Sequence, residues 1–266
     1  MKTGALIFAF NNKHVDYVSM ATWSAKRIHR HLRIPVCLVT DQDTVHSDTF
    51  DHVVHLESSD TQMRHFSDFK AHAVWHNSSR VTAYDLTPWD QTLVLDADYV
   101  VASNQLASLF DTGFDFMSHN KAIDASGNLS FEDNNRFGQV KMPMLWATVM
   151  LFKKNLTSKL IFDSMKMIKQ NWDHYRNIYK ITEKTYRNDF ALSIACNMVQ
   201  GHTLWSTDIP WNLLTVTPDS KLTQCNQDQF KVEYTDSQGR RKWLLLTQDF
   251  HAMSKQSLES IIANDN

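Results

Sequence analysis

The sequence has few cysteines, almost no net charge and no long hydrophobic run. Its three cysteines, Cys37, Cys196 and Cys225, are far apart and odd in number, so they predict neither a disulfide framework nor a zinc site. A reducing compartment fits them. A formal net charge of −2 excludes an overall field that would attract nucleic acid or an anionic membrane. The one strong local basic run is Arg240-Arg241-Lys242, which we interpret as the solvated tip of a hairpin.

Long apolar segments are also missing. The N-terminal apolar run, residues 5–10, is too short for the core of a signal peptide, and no later run approaches the length of a membrane-spanning helix. Internal repeats and low-complexity linkers are absent from the sequence as well. With 42% hydrophobic and 21% charged residues, the composition is that of a globular protein with a sizeable core. We therefore expect a cytoplasmic protein.

Strand and helix signals alternate through the first half of the chain. The patterns predict strands at residues 4–10, 36–39, 53–56 and 92–95, and helices at 15–32 and 66–76. In the second half they predict strands at 114–118 and 144–152, a polar loop at 121–138, and helices at 156–167 and 189–199. This order is typical of an α/β fold, a Rossmann-like, mostly parallel sheet flanked by helices.

Two aspartates, Asp96 and Asp98, follow the predicted strand at 92–95. On an extended segment, alternate side chains point the same way, so the two carboxylates would repel each other unless a cation lies between them. Hard oxygen ligands suit magnesium or manganese. The simpler alternative is that Asp96 caps a helix and Asp98 pairs with a surface lysine. Phosphatases of the haloacid-dehalogenase class also use Asp-x-Asp, but after the first strand of the fold, whereas about three strands precede this pair.

Several motifs occur together in one order along the chain. They are AFNNKHVDYV at the start, FSDFKAHAVWH, the Asp96-Ala97-Asp98 triplet, MPMLWATVMLFKKN, NDFALSIA, WSTDIPWNLL and, near the end, HAMSK. In this combination the chain resembles the glycogenin-like family 8 of nucleotide-sugar glycosyltransferases, which have the GT-A fold. The resemblance covers most of the chain, although each motif matches only loosely.

The resemblance implies a set of site residues. It implies that Asp96, Asp98 and His251 bind manganese or magnesium, and that the donor is a nucleotide sugar, most simply a uridine diphosphate sugar. Catalytic or acceptor-binding roles fall to Asn188 and Asp189, with Trp146 beside them. It also implies that the donor is contacted by Phe10, Asn12, Tyr17, Lys70, Asp96 and Lys255. Asp96 thus has a role both as metal ligand and in donor binding.

The chain departs from the family pattern at two places. Trp146-Ala147-Thr148 stands where the family has Asn-Ser-Gly, and Asn188-Asp189 stands where it has Asp-Gln. Retention of the anomeric configuration, which the resemblance implies, is therefore in question, and so is the identity of the sugar. We expect one GT-A-like domain over residues 1–266, in which residues 1–101 bind the nucleotide sugar and residues 102–266 shape the acceptor site.

The acceptor is left open between two hypotheses. A carbohydrate or glycoconjugate is what the resemblance implies. A viral-type enzyme that glycosylates hydroxymethylated bases in DNA is the alternative, with exposed tryptophans and Arg240-Arg241-Lys242 contacting a flipped base and its phosphates. A hypothesis of another class is a non-catalytic module that only binds sugar nucleotides. The sequence contains no sign of a stable membrane insertion, and it does not indicate an oligomeric state.

Overall fold

A computed structural model describes residues 1–57, 62–66, 69–76, 78–129, 136–203 and 207–265 of the chain. Seventeen strands are assigned within these residues: β1 Thr3–Phe8, β2 Val36–Thr40, β3 His52–His55, β4 Met63–Phe66, β5 Ala71–Val74, β6 Gln91–Asp96, β7 Tyr99–Val100, β8 Phe116–His119, β9 Ala122–Asp124, β10 Arg136–Phe137, β11 Met142–Pro143, β12 Trp146–Lys153, β13 Leu213–Val216, β14 Lys221–Asn226, β15 Gln229–Thr235, β16 Arg241–Leu246 and β17 Phe250–Ala252. The α-helices are α1 Tyr17–His31, α2 Ala83–Leu86, α3 Leu156–Gln170, α4 Trp172–Ile178, α5 Asn188–Val199 and α6 Lys255–Asn264, and 3₁₀ helices span Ser78–Thr82 and Gln105–Asp111.

The central sheet has six strands in the order β3-β2-β1-β6-β12-β8. The first four run parallel to one another, β12 runs antiparallel to β6, and β8 runs antiparallel to β12. Five of the six strands therefore point the same way. Helix α1 packs against β1 and β2, and α5 packs against β12. The predicted α/β fold with a mostly parallel sheet flanked by helices is confirmed.

Burial explains why these strands read as apolar runs in the sequence. Every residue of β2 is buried, and so are all but one residue of β1, β6 and β12. A strand that is covered on both faces needs apolar side chains at successive positions rather than at alternate ones. The exception in β6 is its last residue, Asp96, which lies at the carboxyl edge of the sheet. The core thus ends where the polar groups begin.

A second sheet, in the order β7-β17-β13-β9, positions the C-terminal part of the chain beside this edge. Strand β13 pairs in parallel with both β9 and β17, while β17 pairs in antiparallel fashion with β7, which follows the aspartates directly. Tyr99 lies opposite His251 in this pairing. A histidine more than 150 residues downstream in the sequence is thereby brought next to the Asp96–Asp98 turn.

The helix predicted at residues 66–76 is wrong. Its described residues lie in an antiparallel hairpin of β4 and β5, while residues 67–68 lie outside the described part of the chain. Lys70 has a φ of 49°, a left-handed conformation that interrupts a helix. Across the two strands, the rings of His65 and His72 are 4.9 Å apart. The apolar residues that suggested a helix fit the hairpin equally well, because the segment is short.

The other predicted elements differ from the structure mainly in their ends. The strand predicted at 114–118 spans Phe116–His119, and the one predicted at 144–152 spans Trp146–Lys153. The segment 121–138, predicted as a loop, contains the short strands β9 and β10, and its residues 130–135 lie outside the described part. Within the described residues, no helix is long and apolar enough to span a bilayer.

Candidate active site

The site lies at the carboxyl edge of the central sheet, around the turn that follows β6. Asp96 ends the strand and Asp98 lies two residues further on. The backbone N–H of Ala252 in β17 donates a hydrogen bond to the carbonyl of Asp98 at 3.0 Å. Because the turn is bonded to β17, the side chain of His251 has a fixed position relative to both carboxylates.

Asp96, Asp98 and His251 each present one ligand atom to the same small volume, with the three atoms within 4.8 Å of one another. His251 Nε2 is 3.3 Å from Asp98 Oδ1 and 3.9 Å from Asp96 Oδ2. The second oxygen of each carboxylate has a different partner. Arg80 donates to Asp96 Oδ1, and Lys255 donates to Asp98 Oδ2. Each carboxylate is therefore held by a cation on one side and keeps its other oxygen directed toward His251.

This set of donors fits a divalent cation. Two carboxylate oxygens and one imidazole nitrogen are ligands that manganese and magnesium sites use in proteins. Arg80 and Lys255 do not compete for the converging atoms, because they bond to the other oxygens. The arrangement also fixes the orientation of both carboxylates, as outer partners of metal ligands commonly do. The sequence-derived expectation of these three ligands remains a prediction that the geometry favours.

The ionisation of Asp98 is set by two opposing influences. Burial is the larger single influence and by itself would raise the pKa of this carboxyl group, because a charge in the interior loses hydration. Lys255 and His251, through charge and hydrogen bonds, outweigh burial and hold the pKa of Asp98 well below its ordinary range. Asp98 is therefore ionised at neutral pH, which is the state that a metal ligand requires.

Arg80 is a site residue that the sequence did not reveal. It comes from the 3₁₀ helix Ser78–Thr82, is buried, and donates to the carbonyl of Ala147 at 2.9 Å as well as to Asp96. No local pattern around it indicates this role, since its partners are 16 and 67 residues away. By contrast Lys70, the expected cation, is exposed and does not line the cavity at this edge.

A cavity of about 650 Å³ opens at this site. Among the residues proposed from the sequence, its lining includes Phe10, Tyr17, Asp96, Asp98, Trp146, Asn188, Asp189, His251 and Lys255. Asn12 is not part of the lining. Its side-chain oxygen accepts hydrogen bonds from the backbone N–H groups of His14 and Val15 at 2.9 and 3.0 Å, so it shapes the turn before α1.

Aromatic side chains line one part of the cavity. Phe10 and Tyr17 from the first strand–helix connection are joined there by Trp75 and His76, which follow β5. The ring centroids of Phe10 and His76 are 6.1 Å apart, with the planes tilted by 39°. Flat apolar faces grouped around one part of a polar cavity suit a planar ring such as a nucleobase. The β4–β5 hairpin, which the sequence had suggested as a helix, thus contributes to the site.

At another part of the cavity, short-range pairs organise the segment 183–189. Arg187 donates to Asp189 Oδ2 at 2.7 Å, the hydroxyl of Tyr186 donates to Asn188 Oδ1 at 3.1 Å, and Glu183 accepts from the N–H of Thr185 at 3.0 Å. Asp189 Oδ1 also accepts from the N–H of Ala147 in β12 at 2.9 Å. We call the residues 183–189 the α5 end, and we call Arg80, Asp96, Asp98, His251 and Lys255 the β6 end.

Two further carboxylates at the cavity were not found in the sequence. Glu183 belongs to the α5 end, and Asp124 ends β9. Asp124 Oδ1 accepts hydrogen bonds from the N–H groups of Ser126 and Asn128, both at 2.9 Å. Burial alone would raise the pKa of Asp124, but these hydrogen bonds outweigh it and lower the pKa. The sequence signal, an Asp followed by Ser, Gly and Asn, is that of an ordinary turn and does not distinguish a site.

No protein-family model and no curated protein matches the chain. Among solved structures, it is similar to the apo form of the glycosyltransferase GlyE of Streptococcus pneumoniae TIGR4, with 18% identity, 75% of this chain and 43% of that chain covered, and a TM-score of 0.40. It is also similar to the galactosyltransferase LgtC in complex with donor and acceptor sugar analogues, with 15% identity, 72% of this chain and 70% of that chain covered, and a TM-score of 0.46. A third similar structure is the bifunctional IspDF of Campylobacter jejuni, with 12% identity, 79% of this chain and 49% of that chain covered, and a TM-score of 0.41. The chain thus spans less than half of the length of GlyE.

Proposed function

We propose that this chain is a metal-dependent glycosyltransferase of the GT-A, family 8 type. In this proposal it transfers a sugar from a nucleotide diphosphate sugar, a uridine diphosphate sugar in the first instance, to an acceptor hydroxyl. The observation that carries the proposal is the β6 end of the cavity. There, three metal-type ligands converge from β6, its turn and β17, and two cations, the buried Arg80 and the half-buried Lys255, hold the remaining carboxylate oxygens. A site that only capped a helix or formed a surface ion pair would not need this convergence.

The residues of the β6 end would hold the diphosphate. A manganese or magnesium ion bound by Asp96, Asp98 and His251 would supply Lewis-acid chemistry at the leaving diphosphate. Lys255 and Arg80 place two further positive charges beside these ligands, and fixed positive charges favour a developing negative charge. Phe10 and Tyr17 line the part of the cavity where the base would stack.

The α5 end would act on the sugar and the acceptor. Asp189 is held at both carboxylate oxygens, by Ala147 N–H and by Arg187, so its charge has a fixed position in the cavity wall. A carboxylate fixed in this way stabilises positive charge that develops on the sugar as its bond to the diphosphate breaks. Asn188 and Trp146 line the same cavity and would position the acceptor. We propose retention of the anomeric configuration, which the family resemblance implies.

A carbohydrate or glycoconjugate is the acceptor that the cavity supports best. Asp124 and Glu183 add two carboxylates to its wall, and carboxylates bind sugar hydroxyls well while they repel phosphates. Arg240, Arg241 and Lys242, which the DNA hypothesis requires, do not line the cavity. A DNA acceptor therefore draws no support from the lining.

Donor binding tests the proposal directly. We expect a uridine diphosphate sugar to raise the melting temperature of the protein in the presence of manganese and to raise it far less when the metal is chelated. Slow hydrolysis of the same donor, followed by release of the nucleoside diphosphate, should show the same dependence on metal. Guanosine and adenosine diphosphate sugars serve as controls for the base.

The possible outcomes separate the hypotheses. Donor binding without hydrolysis, and without transfer to any member of an acceptor panel, would indicate the non-catalytic binding module. Full transfer with the metal removed would refute the role of Asp96, Asp98 and His251 as metal ligands. Transfer to hydroxymethylated DNA in preference to oligosaccharides would favour the alternative acceptor.

A further inference from the structure

The three-stranded sheet β14-β15-β16 has an exposed surface that the proposed function does not use. The sheet is inserted in the chain between β13 and β17, and its residues do not line the cavity. Trp243 is 65% exposed, Leu245 is 43% exposed and Leu244 is 38% exposed, so three successive large apolar side chains of β16 contact solvent. β16 is one of the two edge strands of this sheet. Trp243 and Leu245 occupy alternate positions of β16, so they lie on the same face of the sheet and form an apolar patch, unlike single exposed leucines, which are common.

Strand register separates the two faces of this sheet. Phe230 and Val232 of β15 are buried and face the core, together with Leu222 of β14. Residues at the alternate positions share the opposite face, because successive side chains of a strand point to opposite sides. Trp243 lies opposite Glu233, which lies opposite Lys221, and Leu245 lies opposite Lys231. We call this surface the outer face. Its members are Lys221, Lys231, Glu233, Arg241, Trp243 and Leu245.

The outer face is basic in a chain that is acidic overall. Residues 221–246 contain five Lys or Arg against three Asp or Glu, whereas the whole chain has a formal charge of −2. Lys231 Nζ is 2.6 Å from Glu233 Oε1 and lies 5.8 Å from the centre of the Trp243 ring. Lys242 and Arg240 beside the turn pair with Asp236. Lys221, Lys231 and Arg241 therefore share the outer face with Trp243 and Leu245.

We propose that the outer face docks on an anionic membrane surface. Tryptophan and leucine beside lysine and arginine are the residues that proteins insert at the boundary between lipid headgroups and acyl chains. Each basic residue near an anionic leaflet strengthens binding about fivefold. Leu245 decides between lipid and nucleic acid, because an aliphatic side chain gains from burial among acyl chains and gains little against phosphates. A second copy of the chain is a poorer partner. If two copies docked through their outer faces, Lys221, Lys231 and Arg241 of one copy would lie close to the same three residues of the other and repel them.

On the side of the sheet opposite the outer face, a buried arginine holds the sheet rigidly against the rest of the protein. Arg27 of α1 is buried and donates to the carbonyls of Val101 and Gln227, both at 2.7 Å, and its guanidinium lies 5.1 Å from the centre of the Phe230 ring. This contact ties the turn between β14 and β15 to the body of the protein. A surface held in this way can bind without first becoming ordered, which lowers the entropic cost of docking.

Vesicle flotation tests the proposal with the full chain. We expect the protein to float with vesicles that contain phosphatidylglycerol and to remain unbound with phosphatidylcholine alone. The double variant Trp243→Ser, Leu245→Ser should reduce binding by at least about tenfold, since it removes most of the apolar contact. The double variant Lys221→Gln, Arg241→Gln should reduce binding and weaken its dependence on salt. Leu156→Ser, Leu160→Ser in α3 is the matched control, because these leucines are also exposed, and it should bind normally.

The remaining readouts separate other occupants. Circular dichroism and melting temperature establish that each variant is folded. The proposal is overturned if the wild type does not float with phosphatidylglycerol vesicles, or if Trp243→Ser, Leu245→Ser floats as well as the wild type. Self-association in sedimentation that this variant abolishes, without flotation, would assign the face to a second copy of the chain. A gel shift with duplex DNA that Lys221→Gln, Arg241→Gln abolishes, without flotation, would assign it to nucleic acid.

Discussion

The β6 end and the α5 end of the cavity are built in different ways. At the β6 end, partners come from distant parts of the chain, because Arg80 and Asp96 are 16 residues apart and Asp98 and Lys255 are 157 apart. At the α5 end, three of the four pairs join residues only two positions apart. A constellation assembled by the whole fold tolerates little change, whereas a local segment can vary without disturbing it. We infer that the β6 end sets the activation of the diphosphate, and that the α5 end, beyond the fixed charge of Asp189, sets the choice of acceptor.

The largest expected effect comes from Asp98→Asn. It removes one of the three converging ligands and the charge that Lys255 and His251 surround, so we expect a roughly thousandfold loss of transfer, the scale seen when fixed charge stabilisation is lost. Manganese should also lose its effect on donor binding. Asp173→Asn is the control, because Asp173 is 86% exposed and pairs only locally with Arg176 in α4. Kinetics at saturating donor and a manganese titration measure the two effects. Near-normal transfer by Asp98→Asn would contradict the inference that the β6 end sets the activation of the diphosphate.

A second prediction concerns the support of β17, which carries His251. Asp249 Oδ1 accepts hydrogen bonds from the N–H groups of Ala102 and Ser103, both at 2.8 Å, and burial raises the pKa of Asp249 from 3.8 to about 6. The folded chain therefore holds this proton more tightly than the unfolded chain does. The stability that this group contributes is fully present below pH 3.8 and is lost as the pH rises through about 6.

Asp249→Asn removes this titration. The difference in unfolding free energy between wild type and variant should change by about 3 kcal/mol across that pH window, with the variant gaining relative to the wild type as the pH rises. Urea unfolding of both proteins at a series of pH values measures the difference. Parallel curves for the two proteins would show that Asp249 does not support the β6 end in this way.

The third prediction separates the cation found in the structure from the one expected from the sequence. Arg80→Gln removes the buried partner of Asp96 and should lower transfer by about tenfold or more. Arg80→Lys keeps the charge but cannot donate to both Ala147 and Asp96 with the same geometry, so we expect an intermediate value. Lys70→Gln should leave the rates unchanged, since Lys70 is exposed outside the cavity. A loss in Lys70→Gln comparable to that in Arg80→Gln would restore the original assignment.

The smallest expected effect is at the α5 end. Glu183→Gln should change the KM for the acceptor by only a few fold while the KM for the donor and the metal dependence stay the same, because this residue pairs locally with Thr185 and has no contact with the metal-type ligands. An acceptor that carries a negative charge should gain relative to a neutral one. Equal changes in donor and acceptor KM would mean that the two ends are not independent.

The sequence alone was sufficient to predict most of the central sheet and to name Asp96, Asp98 and His251 as candidate metal ligands. Buried parallel strands are continuous apolar runs, so β1, β2, β6 and β12 can be located without knowing their neighbours. Asp96 and Asp98 are notable because they interrupt such a run. The segment 66–76 was misassigned because, over a few residues, apolar spacing does not distinguish a helix from a hairpin.

What the sequence by itself determined is the sheet, its polar carboxyl edge and the residues Asp96, Asp98 and His251 as candidates. Only the tertiary structure decided which cations serve them. Arg80 has its role because the carbonyl of Ala147 and the carboxylate of Asp96 meet there, and both are remote in sequence. Lys70, which has a left-handed backbone conformation between β4 and β5, does not line the cavity. Local patterns record which face of an element is apolar, but the pairing of charges depends on which elements the fold brings together.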